Sequence, residues 1–311
     1  MKCNCEKNCI QTKKEVLDNI NQLYKPCSNC TRSKIKKSIP LRRQIKLDKI
    51  DSNYNKCPTC GKRHIDTVMA HILKIMINNN IVSASSSIRK VGSPLITPAI
   101  PLQNSPYLSE NTLVILIPKI DENVAQLIHE EVPEVKAVMK GDINNTVGQL
   151  NETTSIHQYE LLAGCDIRCD IQPTEYGDVC IYKQQSKIHI EYPKIESPKI
   201  IDVDRVLDEY ENPTVIDATC GPGTLGIYTL MKNAKKVLFN DIYKPAIIAT
   251  KTNLEINEIS EDKYEITNKD IFELVDNLEQ YDIGFIDAFP GVDTEEYKKI
   301  LEKVCDKVII I

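Results

Sequence analysis

Val215-Ile216-Asp217-Ala218-Thr219-Cys220-Gly221-Pro222-Gly223-Thr224-Leu225-Gly226 decides how this chain is read. A short β-branched apolar run ends in a carboxylate and breaks into a glycine-rich turn. A helical pattern opens at Thr224 or Leu225. Strand, turn and helix N-terminus in that order leave backbone N–H groups facing a ligand. Gly221, Gly223 and Gly226 also spell the dinucleotide fingerprint, a pattern that fits more than one cofactor.

The residues downstream narrow the choice. Lys236 to Asn240 reads as a second strand with Asp241 at its end, and a helix follows from Lys244 to Asn257. Tyr264 to Thr267 is a third strand closing on Asp270, and Asp282 to Ile286 a fourth, ending in Asp287-Ala288-Phe289-Pro290. Ligands of open α/β sheets sit at the carboxyl ends of the strands, where Asp217, Asp241, Asp270 and Asp287 all fall. A carboxylate at Asp217 would repel the pyrophosphate of NAD, but it suits the ammonium and sulfonium of S-adenosylmethionine. The expected cofactor contacts are Asp217 to the methionine ammonium, Asp241 to the ribose hydroxyls and Asp270 to the adenine amino group. Gly221 and Gly223 let the backbone approach. Asp287, Phe289 and Pro290 are the candidate catalytic residues, with Asp287 to accept a proton or orient a substrate nitrogen and Phe289 to stack on a base. Strand-end aspartates can also simply cap helices, and Phe289 can simply pack.

The 311 residues are enough for two or three domains, and no apolar run is long enough for a transmembrane helix. Met1-Lys2-Cys3-Asn4-Cys5 lacks the apolar core of a signal peptide, so a cytoplasmic protein is expected. The net charge of −5 conceals a polarity. Residues 1–90 carry 19 Lys and Arg against 6 Asp and Glu, and the remainder 20 against 38. A basic module joined to an acidic one predicts an anionic partner bound by the first and chemistry in the second.

Seven of the twelve cysteines lie in residues 1–90. Cys27 and Cys30, then Cys57 and Cys60, form two C-x2-C knuckles separated by 26 residues, the spacing of a four-thiolate Zn²⁺ site. An iron–sulfur cluster is the lesser option. Cys3, Cys5 and Cys9 suggest a second, incomplete site or a redox-active tail, to which His64 and His71, two helical turns apart, can add ligands. Cys165 and Cys169 read as buried thiols. Between the knuckles, Arg32, Lys34, Lys36, Lys37, Arg42 and Arg43 are the candidate phosphate contacts. Ile65 to Asn78 is an amphipathic helix whose Ile65, Val68, Met69, Ile72, Leu73 and Met76 form a core stripe. The expected organisation is a zinc module at 1–90 and an extended linker at 91–108. An α+β middle domain follows at 109–200, with strands at Leu113–Ile117, Val135–Met139, Val179–Tyr182 and Lys187–Ile190. A Rossmann-like domain at 201–311 completes the chain. Its sheet, in the order 3-2-1-4-5, ends two strands short of a seven-stranded sheet, and strands of the middle domain, a partner or a second copy are expected to cover the exposed edge.

From Ile117 to Pro290 the chain resembles the archaeal and eukaryotic tRNA guanine-N1 methyltransferases, and their relatives in wybutosine synthesis that transfer an aminocarboxypropyl group. The resemblance rests on the glycine turn, on Asn240-Asp241-Ile242-Tyr243-Lys244-Pro245-Ala246 and on Thr252-Asn253-Leu254-Glu255-Ile256-Asn257. More weakly, it rests on Val132-Pro133-Glu134-Val135, Leu161-Leu162-Ala163-Gly164 and Thr174-Glu175-Tyr176-Gly177. It implies a class I S-adenosylmethionine-dependent methyltransferase acting on RNA, tRNA first. The alternatives are an aminocarboxypropyl or methyl transferase for a protein or small molecule, and a non-catalytic RNA-binding protein of the same fold. Where the family has arginines and a carboxylate before this domain, the chain has Lys194, Lys199 and Pro198, with Glu196 displaced. Cofactor binding therefore carries over, and the chemistry on guanine does not.

Overall fold

The computed structural model describes residues 1, 3, 5, 8–149, 156–289 and 291–311. The chain opens with α1 (Lys13–Leu17) and α2 (Ile20–Leu23). A reciprocal cap starts α1: the Glu15 N–H donates to Thr12 Oγ1, and the Thr12 N–H donates to the Glu15 carboxylate. The cysteine knuckles follow, then β1 (Arg63–His64) and α3 (Ile65–Asn78). Of the stripe expected on α3, Val68, Met69, Ile72, Leu73 and Met76 are buried and Ile65 is half-buried, but the helix is not two-faced: Thr67, Ala70, His71, Ile75 and Ile77 are buried as well, because the middle domain packs over its other side.

The segment expected to be a linker is instead built into the fold. Ser93–Ile96 is β2, and Tyr107–Leu108 is β3, which pairs antiparallel with β1. β2 pairs antiparallel with β4 (Leu113–Ile117). Pro94 sits in β2 because that strand is the sheet's edge, where a missing N–H costs least. After α4 (Glu122–Glu131) come β5 (Val135–Lys140), parallel to β4, and β6 (Glu160–Gly164), completing the order β2-β4-β5-β6. One apolar core runs from Tyr24, Leu41 and Ile50 through α3 to β4, α4 and β5, so the boundary expected near residue 90 is crossed by continuous packing. Arg63 is fully buried and clasps Glu134 with Nε 2.7 Å from Oε1, joining the knuckle segment to the middle domain.

A hairpin follows, β7 (Ile167–Gln172) and β8 (Val179–Gln184). Lys187–Ile190, expected as a strand, is not one. The N–H groups of Lys187 and Ile188 both donate to the Gln184 carbonyl and close a turn, although Ile188 and Ile190 are buried.

The last part alternates helix and strand: α5 (Pro198–Leu207), β9 (Thr214–Asp217), α6 (Thr224–Lys232), β10 (Lys236–Asn240), α7 (Lys244–Ile256), β11 (Tyr264–Thr267), α8 (Ile271–Leu274), β12 (Tyr281–Ile286), α9 (Glu295–Leu301) and β13 (Cys305–Ile310). All five strands are parallel, in the order β11-β10-β9-β12-β13, which is the expected 3-2-1-4-5. The order reverses between β9 and β12, so a crevice opens beyond their carboxyl ends. Gly226 lets α6 press onto the sheet: a Cβ there would lie 2.2 Å from Phe239 Cε1.

Asn253 on α7 and Asn257, the residue that caps its C-terminus, join this sheet to the hairpin. The Asn253 amide accepts from the Tyr182 N–H at 2.7 Å and donates to the Tyr182 carbonyl at 3.0 Å. Asn257 repeats the exchange with Cys180, at 3.0 and 2.7 Å. The free edge of β8 is thus paired by side-chain amides, and Asn253 also donates to the Pro222 carbonyl in the glycine turn.

Candidate active site and metal centre

The crevice is built on β9 and its turn. Gly221 and Gly223 take φ of +53° and +90°, a region open to glycine, and Gly223 caps α6 in that conformation. Asn240, 1% exposed, holds the strand ends together: its amide donates to the Ala218 and Lys269 carbonyls and accepts from Thr267 Oγ1 and the Lys269 N–H.

Asp217 is 1% exposed. Its Oδ2 accepts from the Gly226 N–H at 3.1 Å, while its Oδ1 is buried with no hydrogen-bond partner among the described residues. Burial, then the nearby Asp287 and Asp241 carboxylates, push its pKa up to about 8. Asp241 accepts from the Gly221 N–H at 2.9 Å and the Tyr243 N–H at 2.8 Å, which aims it into the glycine turn. Burial also raises its pKa, against those two donors. Asp270 lies at the end of β11, where it caps α8 by accepting from the Phe272 N–H at 3.0 Å.

Asp287, at the end of β12, is fixed by its N–H to Thr219 Oγ1 at 2.7 Å. Its Oδ2 accepts from Lys199 Nζ at 2.7 Å, and the same ammonium donates to Glu191 Oε1 at 2.9 Å. The line continues through Lys183, near both Glu191 and Asp170, to Arg168 on Asp170. Burial raises Asp287's pKa against the pull of Lys199. Burial also opposes the charge on Lys199, but Glu191 and Asp287 outweigh it and raise its pKa. Burial works to raise Glu191 too, yet Lys183 and Lys199 prevail and hold it at about 2. Sequence reasoning points to Glu196 as the nearby carboxylate; the one that pairs with Lys199 is Glu191. Local spacing gives no sign of it, because the hairpin's lysine and α5 bring it to the crevice.

Phe289 packs edge-on to His189, ring centroids 5.8 Å apart, with Gly148 against its tip. The structure therefore brings Asp217, Asp241, Gly221, Gly223 and Asp287 to one crevice, with Asp270 on the adjoining loop. Pro290 lies outside the described residues.

The residues fit S-adenosylmethionine on two observations. Asp217 Oδ1 is buried without a hydrogen-bond partner among the described residues, and an ammonium brought to it would draw the carboxyl into its charged form. A Cβ added at Gly221 would meet nothing within 4 Å, so the turn has open space before it.

In the N-terminal part, Cys27, Cys30, Cys57 and Cys60 bring their sulfurs together, with Cys27–Cys57 3.5 Å, Cys27–Cys30 3.7 Å and Cys30–Cys60 3.4 Å apart. Tetrahedral bonds of about 2.3 Å place thiolates about 3.8 Å apart, so the set fits one Zn²⁺. The N–H groups of Cys60 and Thr59 point at the Cys57 sulfur and, against burial, hold that thiol at about 6. His64 and His71 join neither cysteine cluster. His64 Nδ1 accepts from the Asp66 N–H at the start of α3. His71 is buried beside Arg63, and burial first, then that guanidinium, lower its pKa to about 4. Arg32, Lys34, Lys36, Lys37, Arg42 and Arg43 are all exposed, the first four on a loop and the two arginines in the one-turn 3-10 helix Leu41–Arg43 that ends it; buried Ile35 and Leu41 pin the segment and Gln44, which bonds Lys36 and Ile39, clamps it. Lys37 pairs with Asp66 at 3.3 Å.

A five-stranded parallel sheet in this order, with acidic residues at the ends of its first, second and fourth strands around a glycine turn, defines a class I methyltransferase-type domain. Residues 201–284 match the family model described as ribosomal protein L11 methyltransferase (PrmA). The ribosomal protein L11 methyltransferase of Acinetobacter baumannii (strain SDF) is 43% identical over 56 residues, 18% of this chain and 19% of that protein. The one from Agathobacter rectalis is 31% identical over 101 residues, 32% of this chain and 28% of the relative. The chain thus spans less than a third of these curated relatives. Among solved structures, Methanocaldococcus jannaschii Trm5 in complex with adenosine is similar at 16% identity and a TM-score of 0.42, over 74% of this chain and 60% of that one. No helix among the described residues is long and apolar enough to cross a membrane.

Proposed function

We propose that the crevice binds S-adenosylmethionine and that the chain is a methyltransferase acting on RNA, tRNA first, in the cytoplasm. The observation that carries this reading is the pairing of Asp241, held by the Gly221 and Tyr243 N–H groups, with the unpartnered buried oxygen of Asp217 across the same glycine turn. One carboxylate is set to receive ribose hydroxyls and the other an ammonium. Asp270 adds an acceptor on the loop beside Asp241.

Bound S-adenosylmethionine supplies an electrophilic methyl on a sulfonium, so the protein's task is to orient the nucleophile and exclude water. Asp287 stands at the strand end facing the crevice and takes the proton of a substrate N–H. Lys199, between Asp287 and Glu191, keeps the two carboxylates from opposing each other as bare like charges. Phe289, half-buried beside His189, is placed to offer its ring face to a base. The exposed cations between the zinc knuckles are the phosphate contacts, and a zinc ion on Cys27, Cys30, Cys57 and Cys60 fixes the loop that carries them.

The test is incubation with methyl-labelled S-adenosylmethionine and fractionated cellular RNA, protein and metabolites. Label in the tRNA fraction is expected; label only in protein or metabolites overturns the RNA assignment. Asp241→Ala should abolish cofactor binding by calorimetry with the fold retained, and unchanged affinity would remove the cofactor assignment.

A further inference from the structure

We propose that Cys3, Cys5, Cys9 and Cys165 form a second four-thiolate zinc site, which fastens the N-terminal tail to the turn between β6 and β7. Cys165 lies 162 residues from Cys3, yet their sulfurs stand 3.3 Å apart. Cys5 and Cys9 are 3.2 Å apart, Cys3 and Cys5 2.6 Å, and all four ligand atoms lie within 4.8 Å of one another. Two distant segments delivering four thiols to one point is the arrangement of the first site, where Cys27 meets Cys57. Binding Zn²⁺ moves the closest pair apart toward the tetrahedral spacing of about 3.8 Å. A four-iron cluster sits as a cage between its thiolates and needs wider separations than the 4.8 Å limit here.

The surroundings suit the ion. The Lys136 ammonium donates to the Ile167 carbonyl, two residues on from Cys165, and lines the same cavity as Cys5, Cys9 and Cys165. Its charge offsets part of the double negative charge of a zinc tetrathiolate. That cavity, of about 630 Å³, gives the ion a way in.

The tail itself argues for a fastener. Apart from the cysteines, its apolar residues before Thr12 are Met1 and Ile10, too few to offset the conformational entropy of ordering it. Met1, Cys9 and Ile10 nonetheless pack against the cluster of Val16, Ile20 and the β7–β8 hairpin, and the Met1 ammonium donates to Thr252 Oγ1 on α7. A metal–thiolate cluster supplies what two side chains cannot.

Full-length protein purified without chelator under reducing conditions should contain two zinc ions per chain by elemental analysis. Cys165→Ser should contain one, and so should the Cys3→Ser, Cys5→Ser double variant, whose changes lie in the tail and leave the core intact. After Co²⁺ loading, thiolate-to-cobalt charge-transfer absorbance should halve in both. One zinc in the wild type, two in both variants, iron in place of zinc, or a Cys3–Cys5 disulfide by thiol counting would each overturn the proposal.

Discussion

Replacing Asp217 with asparagine tests the electrostatics of the crevice. The side-chain carbonyl oxygen of Asp217→Asn would keep the bond from the Gly226 N–H, so the variant mimics the neutral acid in shape. In the wild type the folded state holds the proton up to about pH 8, whereas an unfolded aspartate releases it near pH 3.9. The folded state therefore binds more protons between these values, and stability must fall as pH rises through that window. One group contributes at most about 1.4 kcal/mol per pH unit. Between pH 5 and pH 7 the wild type should lose roughly 2–3 kcal/mol that the variant keeps. Asp241 and Asp287 titrate in both proteins, so most of their effect cancels in the difference. Urea unfolding at pH 5, 6 and 7 reads the gap directly, and parallel stability curves would refute the reasoning. The same logic reaches the ligand. An ammonium on Asp217 favours the carboxylate, so S-adenosylmethionine binding at pH 7 should release close to one proton in the wild type and none in the variant. Calorimetry in buffers of different ionisation enthalpy measures it.

Lys199→Met leaves Glu191 and Asp287 without their shared cation. Methyl transfer should drop at least about tenfold with little change in cofactor affinity, and the acid limb of the pH–rate profile should move to higher pH as Asp287, the base, loses the pull of Lys199. Lys199→Arg should restore part of the rate, and an unmoved acid limb would exclude the ion pair from the reaction. Gly226→Ala forces a methyl into Phe239 and should cost about 1–3 kcal/mol in chemical denaturation. Arg42→Gln combined with Arg43→Gln should lower the slope of log affinity against log salt for tRNA by about 1.5, with the fold unchanged. An identical slope would move the phosphate contacts elsewhere.

The parallel sheet was legible because its signals are local. The strands are short and mostly apolar, the first four lead into an aspartate at or just beyond their ends, and one glycine turn fixes where the crevice opens. The α3 stripe was readable for the same reason, from its helical period. What escaped notice depends on partners far along the chain. β2 lies in a proline-rich stretch and becomes a strand because β4 offers it an edge. Lys187–Ile190 alternates like a strand, but the Gln184 carbonyl takes two of its N–H groups first. Cys165 looks like an ordinary buried thiol until the tail arrives, and Glu191 gains its role from Lys199 and Lys183. No spacing rule along the sequence contains those meetings.

Asn253 and Asn257 act as a gauge between two kinds of structure. Four residues of α-helix advance about 6.0 Å, and two residues of strand about 6.8 Å. The mismatch is small over one repeat and would grow with a third rung, so the pairing can be two teeth long and no longer. Sliding α7 by a single residue would swing both amides about 100° away from β8. The hairpin and the crevice therefore mesh in one setting with no intermediate position. Because Asn253 also grips Pro222, that setting is imposed on the glycine turn itself.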